Sequence, residues 1–360
     1  MKTPLYDKHI SLKARMAPFG EWEMPIQYSG IIDEHLHTRK SASIFDICHM
    51  GEFILEGKNA LQDIEKILTA KLSSLNINRC RYSFMLNESG GIIDDLIIYR
   101  LEEEKYMFVV NSATADADAE WIKNHISSET DFENISDITS KIDLQGPASK
   151  EVLQKLTSAN LSELKYFRFI ETTIDNVSAI ISRTGYTGEL GYEIYIPANN
   201  AEQIWDKSLE NKSVKPAGLG ARDTLRLEVG LPLYGHELSL DCNPAQTCFM
   251  FAVNLDKDFI GKDAVIKAKE NGVEEKLAGL KLEGRQSPRA GQKIKNDIGE
   301  IIGEITSGSF GPTLGNSIAF GYVNSDFCEL ETEVQIDTGR KLLSARVCQT
   351  PFYVNKEARK

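Results

Sequence analysis

The middle of the chain contains an apolar segment that is interrupted by two adjacent carboxylates. Residues 92–101 are mostly isoleucine, leucine and tyrosine, with Asp94 and Asp95 among them. Neighbouring side chains of a strand point to opposite faces, so Asp95 shares a face with Tyr99 while Asp94 lies on the other face. Both faces are mainly apolar, which predicts a strand covered on both sides. A carboxylate buried in such a strand needs a partner, and we expect its pKa to be perturbed.

Strand-like and helix-like segments alternate irregularly along the first three quarters of the chain. A turn at residues 87–91, which contains two glycines, joins the predicted strands 81–86 and 92–101 into a hairpin. Further predicted strands cover residues 106–110, 167–170 and 179–181, and predicted helices cover residues 117–125, 149–156, 201–209, 218–228 and 261–270. The absence of a regular strand-helix repeat favours an α+β fold over a doubly wound parallel sheet.

The pattern changes near Glu275. Short apolar runs then follow one another, separated by glycine, proline and serine, at residues 277–282, 299–305, 318–323 and 342–347. This spacing is typical of a small all-β module. We therefore expect residues 1–275 to form one region of the protein and residues 276–360 to form a separate C-terminal domain.

Composition and charge exclude several classes of protein. The 360 residues are 41% hydrophobic and 26% charged, and the formal net charge of -12 argues against a nucleic-acid surface, which normally requires a concentrated basic face. No apolar run is long enough to span a bilayer, and the amino terminus has no signal-peptide core, so we expect no membrane association and a cytoplasmic location.

Cysteine and histidine positions give little support to a metal site. The six cysteines are scattered without a Cys-x-x-Cys spacing, and we expect them to be reduced thiols that pack in the interior. His35 and His37 lie near Asp33 and Glu34. A metal site there is a weak alternative to two histidines on the exposed face of a helix, and no metal is expected.

The pair Asp94 and Asp95 is the first candidate for chemistry. Because adjacent carboxylates on a strand point apart, they do not form a proton-sharing dyad, and one of them is expected to act. A single buried carboxylate is suited to holding and polarising an amine or a protonated heterocycle. The alternative is a bulge or a sheet edge, where both carboxylates would reach water.

Two further segments could contribute to a ligand site. The glycine-rich segment 182–193 lacks the lysine of a P-loop and the spacing of a dinucleotide fingerprint, but it offers an aromatic ring at Tyr186 and a carboxylate at Glu193. A tight hairpin with a surface tyrosine explains the segment equally well. Arg222 lies in the first turn of a predicted helix, where the helix dipole disfavours a cation. A bound carboxylate would account for it, and so would an ion pair with Asp223 or Glu228.

Many ordered blocks of the chain, taken together, resemble one family. They are residues 3–5 (TPL), 22–25 (WEMP), 45–52 (FDICHMGE), 90–96 (GGIIDDL), 145–147 (QGP), 182–193 (SRTGYTGELGYE), 218–223 (GLGARD), 306–308 (TSG), 312–315 (PTLG) and 351–353 (PFY). The chain is similar to the T-protein of the glycine cleavage system, the tetrahydrofolate-dependent aminomethyltransferase family. The blocks extend from one end of the sequence to the other.

The resemblance implies a fold and a reaction. The fold is a three-domain cloverleaf around a central folate-binding hole, with two interleaved α/β subdomains and a C-terminal β-barrel. The partner is a lipoylated H-protein, whose lipoyl group carries an S-aminomethyl unit. Members of the family transfer the methylene of that unit to tetrahydrofolate and release ammonia, leaving 5,10-methylenetetrahydrofolate and the dihydrolipoyl H-protein.

The resemblance also assigns roles by position. Asp95 corresponds to the catalytic aspartate that orients folate and helps to activate its N5 atom, and Glu193 corresponds to the carboxylate that recognises the pterin. The remaining folate-binding positions correspond to Arg222, Tyr186, Asn111, Met50, Tyr82 and, in a looser alignment, Arg359. Three positions depart from the family pattern, namely Glu21, Cys48 and Leu190.

Two other functions share this fold. One is a folate-dependent demethylase, in which the Asp-Asp pair and the sequence around Glu193 would more often be absent. The other is a non-catalytic folate-binding accessory protein, and a Lys-Gly-Cys-Tyr type signature of the accessory branch is not found in the sequence. The presence of Asp95 favours the aminomethyltransferase over both.

Overall fold

Helices and strands are intermixed along residues 1–358, the part of the chain that the computed structural model describes. Eight α-helices form in this part: α1 (Tyr6–Ser11), α2 (Ile31–Lys40), α3 (Ala60–Ile67), α4 (Ala115–His125), α5 (Ser149–Leu153), α6 (Ala201–Leu209), α7 (Leu219–Glu228) and α8 (Lys262–Asn271). The same residues form nineteen strands: β1 (Arg15–Phe19), β2 (Trp22–Gln27), β3 (Ala42–Asp46), β4 (Gly51–Glu56), β5 (Arg79–Leu86), β6 (Ile92–Arg100), β7 (Lys105–Val110), β8 (Asp131–Asn134), β9 (Thr139–Gln145), β10 (Phe169–Ile174), β11 (Val177–Ser182), β12 (Gly191–Pro197), β13 (Val214–Pro216), β14 (Glu275–Leu282), β15 (Lys293–Lys295), β16 (Ile301–Gly311), β17 (Asn316–Asn324), β18 (Glu333–Asp337) and β19 (Leu342–Cys348).

Two sheets form the framework of the first 257 residues. The five-stranded sheet has the order β5-β6-β7-β4-β8, and the six-stranded sheet has the order β10-β11-β12-β9-β3-β13. Strand β3 precedes the five-stranded sheet in the chain and its sheet partners follow it, so the two units are interleaved in sequence. Strand β13 pairs with β3 in parallel, whereas the pairs within the hairpins are antiparallel. The predicted α+β fold with interleaved subdomains is confirmed.

The two sheets pack face to face. Their contact is an apolar cluster to which the five-stranded sheet contributes Tyr99, Met107 and Val109, and the six-stranded sheet contributes Phe169 and Tyr195. Each sheet buries its other face in a separate core, one beneath α3 and α4 and one beneath α5 and α6. Strand β6 is therefore covered on both sides, as its apolar pattern predicts.

The last six strands close into a barrel in the order β14-β17-β16-β15-β18-β19. Their inward side chains alternate with exposed ones, for example along β19, where Leu343, Ala345 and Val347 are buried. The apolar runs predict β14, β16, β17 and β19, but they miss β15 and β18, which are short and rich in charged residues. The predicted C-terminal all-β barrel is confirmed.

A buried polar cluster joins the barrel to helices α2 and α7, and it corrects one expectation. His35 is fully buried, with its Nδ1 atom 2.8 Å from Thr224 Oγ1 and its Nε2 atom 2.8 Å from Thr313 Oγ1. The expectation of an exposed helix-face histidine is therefore wrong for His35, while His37 is partly exposed. Arg39 and Glu228 form a 3.0 Å ion pair beside it. This side of α2 faces α7 and the barrel. Its buried polar side chains therefore form hydrogen bonds and ion pairs with residues of α7 and the barrel.

Three further findings concern the residues that the structure describes. All six cysteines are free thiols, but only Cys48, Cys80 and Cys242 are buried, so the expectation that they pack in the interior holds for half of them. None of the helices is both long enough and apolar enough to cross a bilayer. No group of three or more His, Cys, Asp or Glu side chains in residues 1–358 is arranged to hold a metal ion.

Candidate functional site

Asp95 lies on the inner face of the five-stranded sheet, which packs against the six-stranded sheet. It shares that face with Tyr99, and its carboxylate accepts hydrogen bonds from Tyr82 Oη at 2.9 Å and Asn111 Nδ2 at 2.8 Å. The side chain remains partly exposed. Burial, followed by the negative charge of Asp94, raises the pKa of Asp95 to about 7, against the opposing effect of the two hydrogen bonds. Near neutral pH this group can therefore both hold and release a proton.

Asp94 lies on the opposite face of β6 and is fully buried. It accepts hydrogen bonds from the backbone N–H of Asn111 at 3.0 Å and from the Asn111 side-chain amide at 2.8 Å. The alternative of a bulge with two solvated carboxylates is only half right. The register does shift opposite Ile93, but β6 is an interior strand and Asp94 has no access to water.

Asn111 joins the two aspartates. It follows the last residue of β7, and its side-chain nitrogen lies within 2.8 Å of one carboxylate oxygen of each aspartate and 2.9 Å from the carbonyl of Asp95. The amide must present its nitrogen here, because its oxygen would repel three acceptors. Thr114 precedes α4 but makes no side-chain capping hydrogen bond to that helix, and its hydroxyl donates to the carbonyl of Asn111.

Glu193 lies on the inner face of the six-stranded sheet. It is almost completely buried, and Lys141 Nζ is 2.8 Å from its Oε1 atom, while Thr184 and Tyr99 donate to Oε2. Burial alone would raise the pKa of Glu193, but the charge and hydrogen bond of Lys141 bring it below the ordinary value. Glu193 is therefore held as a carboxylate.

Arg222 faces the same end of the six-stranded sheet from α7. Its Nη1 atom is 2.5 Å from Asp143 Oδ2, and its guanidinium lies 4.7 Å from the ring centroid of Tyr186. The carboxylate that pairs with Arg222 in the structure is Asp143 on β9. Asp223 pairs with Arg226 instead, and Glu228 pairs with Arg39, so both partners considered from the sequence are wrong.

Tyr186 links this end of the site to Asp95. Its hydroxyl donates to the carbonyl of Pro232, and its ring lies close enough to Asp95 for that carboxylate to contribute to the raised pKa of Tyr186. Tyr99 forms a second link, because it lies on the same face as Asp95 and its hydroxyl is 2.9 Å from that of Tyr195. Four residues of strand separate Asp95 from Tyr99, which is about 13 Å.

Met50 completes the set of predicted residues that the structure describes. Its sulfur lies 3.4 Å from Lys141 Nζ, at the start of β4. These predicted positions are partly exposed, apart from the buried Glu193: Met50, Tyr82, Asp95, Asn111, Tyr186 and Arg222. Their partial exposure leaves these six side chains open to contact by a ligand. Arg359 lies outside the described residues.

Sequence reasoning missed several charged groups of this region. Lys141 and Asp143 alternate with Ile142 and Leu144 on β9, and this period of two could have predicted a polar face. Glu52 on β4 is also buried, and burial raises its pKa to about 8 in spite of nearby Lys141. Glu52 interrupts an apolar strand, as Asp95 does, and this pattern could have predicted a buried carboxyl group.

Cys48 is one of the three departures from the family pattern, and the structure gives it a packing role. It is buried, and its thiol donates to the carbonyl of Lys141 at 3.3 Å. Leu190 packs against the core of the six-stranded sheet, and Glu21 is exposed. None of the three contacts Asp95.

Comparison with known proteins agrees with this geometry. The family model described as the GCVT N-terminal domain matches residues 5–257, and the model described as the glycine cleavage T-protein C-terminal barrel domain matches residues 275–353. The chain belongs to the glycine cleavage T-protein family. The match to the barrel model begins where β14 begins.

Other T-proteins match the chain over its whole length. An aminomethyltransferase of Thermotoga sp. (strain RQ2) is 43% identical over 356 residues, which cover 98% of this chain and 97% of the relative. One of Geobacillus sp. (strain WCH70) is 43% identical over 358 residues, 98% of each chain. The crystal structure of glycine cleavage system aminomethyltransferase T from Bartonella henselae has a TM-score of 0.93 at 35% identity and covers 98% of both chains. The predicted three-domain T-protein architecture is confirmed.

Proposed function

We propose that this protein is the aminomethyltransferase of a glycine cleavage system. It transfers the methylene of an S-aminomethyl-dihydrolipoyl H-protein to tetrahydrofolate, with release of ammonia. The observation that carries the proposal is a carboxylate of near-neutral pKa, Asp95, in the contact between two sheets of a chain related to aminomethyltransferases over its full length. The proposed partners are tetrahydrofolate, as the acceptor, and the lipoylated H-protein.

The residues of the site fit a folate. When bound, tetrahydrofolate would supply the nitrogen that accepts the methylene unit. Asp95, held by Tyr82 and Asn111, is the proposed catalytic residue, because a carboxyl group with a pKa of about 7 can orient an N–H group and exchange a proton with it. Capture of a methylene unit depends more on proximity and a water-poor electrostatic site than on a protein nucleophile.

Glu193 is the proposed recognition group for the pterin. A carboxylate has about four acceptor positions, and Lys141, Thr184 and Tyr99 face three of them. One position on Oε1 remains, and the 3.4 Å contact from Tyr99 is the easiest to displace. Two donors of a guanidine-like edge could then be accommodated. Arg222, Tyr186, Asn111, Met50 and Tyr82 are proposed to line the same pocket, and Arg359 is proposed from the resemblance alone.

The domain division and the location of the protein are also proposals. We propose that residues 1–275 form the folate-binding catalytic region and that residues 276–360 form the barrel domain. We further propose a cytoplasmic location, without a nucleic-acid or membrane partner.

A reconstituted assay tests the function. Purified protein is mixed with aminomethylated H-protein and tetrahydrofolate, and ammonia and methylenetetrahydrofolate are measured together. We expect equal amounts of both products, and the Asp95→Asn variant should be at least about tenfold slower, the usual scale for loss of an acid-base group. Asp241→Asn, at an exposed aspartate, serves as the matched control.

Other results would support the rival functions. Folate binding by the wild-type protein with no turnover would indicate a non-catalytic accessory protein. Release of a one-carbon unit from an N-methylated amine, with no activity toward H-protein, would indicate a demethylase. Full activity of Asp95→Asn would contradict the role of that residue.

A further inference from the structure

Asp118 is a fully buried carboxyl group that has no part in the proposed reaction. It lies on α4, beneath the face of the five-stranded sheet that is opposite to Asp95. Within residues 1–358, neither of its oxygens has an N–H partner, and the donor that acts on it is the hydroxyl of Thr114. That hydroxyl has a single proton and also lies 3.1 Å from the carbonyl of Asn111, to which it can donate. An ionised carboxylate in this position would be buried with one shared hydroxyl as its donor, which is unfavourable.

The neighbour of Asp118 is another carboxyl group. Its side chain is in hydrogen-bonding contact with that of Asp94, and two carboxyl groups can make such a contact only if one of them holds a proton. Asp94 already accepts two N–H groups of Asn111, at 3.0 Å and 2.8 Å. Because those bonds stabilise its ionised form, the proton belongs on Asp118.

The other groups that face this pair do not change the assignment. Asp95 adds a second negative charge on Asp118, and the phenol of Tyr234, which lies nearby, donates to the carbonyl of Ile92 at 3.1 Å. Negative neighbours favour the neutral form of a carboxyl group. The charges that act most strongly on Asp118 are thus those of Asp94 and Asp95.

A continuous set of contacts connects Asp118 to the site. Asp118 touches Asp94, Asp94 holds both N–H donors of Asn111, and the same Asn111 amide lies 2.8 Å from Asp95 Oδ1. If Asp94 lost the donor on its outer side, its own proton affinity would rise. Asp94 would then take up a proton, and a neutral carboxyl group is a weaker acceptor for Asn111. Asn111 would then be free to leave Asp95.

We propose that Asp118 is a neutral carboxylic acid that donates a hydrogen bond to Asp94 and thereby acts as a positioning residue for Asn111 and Asp95. The positioning role rests on the proposed function of the site. The protonation of Asp118 does not, because it follows from the buried contact between two carboxyl groups.

The first test measures protonation without any substrate. The protein is labelled with carboxyl-¹³C aspartate, the Asp118 resonance is assigned by its loss in Asp118→Asn, and its chemical shift is followed by NMR from pH 5 to pH 9. We expect the shift of a neutral carboxylic acid at pH 7. The shift of an ionised carboxylate at that pH would overturn the proposal.

The second test distinguishes a hydrogen-bond donor at position 118 from a side chain that only fills the space. Asp118→Asn keeps a donor toward Asp94 in a side chain of the same shape, whereas Asp118→Leu has none. Since a hydrogen bond to a charged group is lost in the second variant alone, kcat should fall by at least about tenfold in Asp118→Leu and by less than about threefold in Asp118→Asn. The KM for H-protein should stay the same in both. Asp116→Leu, at an exposed position of the same helix, is the control.

The outcomes are distinguishable. A folded Asp118→Leu variant with wild-type kcat would overturn the positioning role. If that variant does not fold, the NMR titration of the wild-type protein and the kcat of Asp118→Asn still decide the proposal. A wild-type protein that has a neutral Asp118 but no aminomethyltransferase activity would refute the proposed function and leave the protonation of Asp118 established.

Discussion

Replacing Lys141 by methionine should weaken folate binding in a pH-dependent way. Lys141 Nζ is 2.8 Å from Glu193 Oε1, and the two side chains are only 2% and 4% exposed. Methionine has a similar length and no charge, so the substitution leaves Glu193 as a buried carboxylate without its counter-ion. Removal of one partner of a buried ion pair lowers the free energy of unfolding by about 3–5 kcal/mol. The lower part of that range is expected, because Thr184 and Tyr99 still donate to Glu193.

The sign of the pH effect follows from the pKa of Glu193. In the wild-type protein, burial raises this pKa, and the charge and hydrogen bond of Lys141 more than offset the rise. Without Lys141 the pKa moves above its ordinary value, so Glu193 takes up a proton as the pH falls. If the pterin is recognised by the carboxylate, affinity falls by about tenfold for each pH unit below the new pKa. In the wild-type protein Glu193 stays ionised between pH 6 and pH 8, so the protonation of Glu193 adds nothing to the pH dependence there, and the comparison is between the two proteins at each pH.

The assay is a fluorescence titration with a reduced folate at pH 6, 7 and 8, together with urea unfolding at each pH. Lys207→Met is the matched control, because Lys207 forms a 3.1 Å pair with Glu210 on the surface, where the side chains are 39% and 65% exposed. Such an exposed pair is screened by solvent and contributes little to stability. Equal folate affinities of Lys141→Met and wild type at all three pH values would refute the argument that Lys141 keeps Glu193 ionised for ligand binding.

Two further predictions concern the neighbourhood of Asp95. Tyr82→Phe removes the 2.9 Å hydrogen bond to Asp95, so the pKa of Asp95 should rise above about 7. The pH of half-maximal kcat/KM should then move upward by about one unit. An unchanged pH profile would contradict this. Gly91→Ala would place a Cβ atom 1.9 Å from the carbonyl oxygen of Leu240, whereas Gly284→Ala meets nothing within 4 Å and carries only the strain of a positive φ. The melting temperature should therefore fall further in Gly91→Ala, and equal losses in the two variants would argue against the clash.

The alternation of polar and apolar residues predicts the local elements of this protein well. The hairpin of β5 and β6 could be predicted because its turn residues and its strand pattern agree. The helices α6, α7 and α8 are also predicted to within three residues at each end. Strands β3 and β9 could not be recognised as neighbours, because their pairing joins residues about one hundred positions apart, and no local pattern encodes such a contact.

The charged residues of the site show the same limit. The sequence indicates that Asp95 needs a partner, but Tyr82 and Asn111 become partners only through the register of three strands. The helix dipole indicates that Arg222 needs an anionic partner, but the sequence does not identify Asp143, which lies on β9 and is 79 residues away in the chain. Asp118 looks like one of several exposed acidic residues of α4, and only the packing of that helix on the five-stranded sheet buries it.

The geometry of the whole site depends on the register of one hairpin. Because strand side chains alternate, a slip of one residue would exchange Asp94 and Asp95 between the inner and outer faces. The turn fixes the register: Asn87 N donates to the carbonyl of Gly91 at 2.9 Å, and Gly91 N donates to Asn87 Oδ1 at 2.8 Å. Leu240 then lies so close to Gly91 that no side chain fits between them. The turn therefore determines which of the two carboxylates faces the second sheet, and the polar contacts of Asp94, Asn111 and Asp95 are possible only in that register.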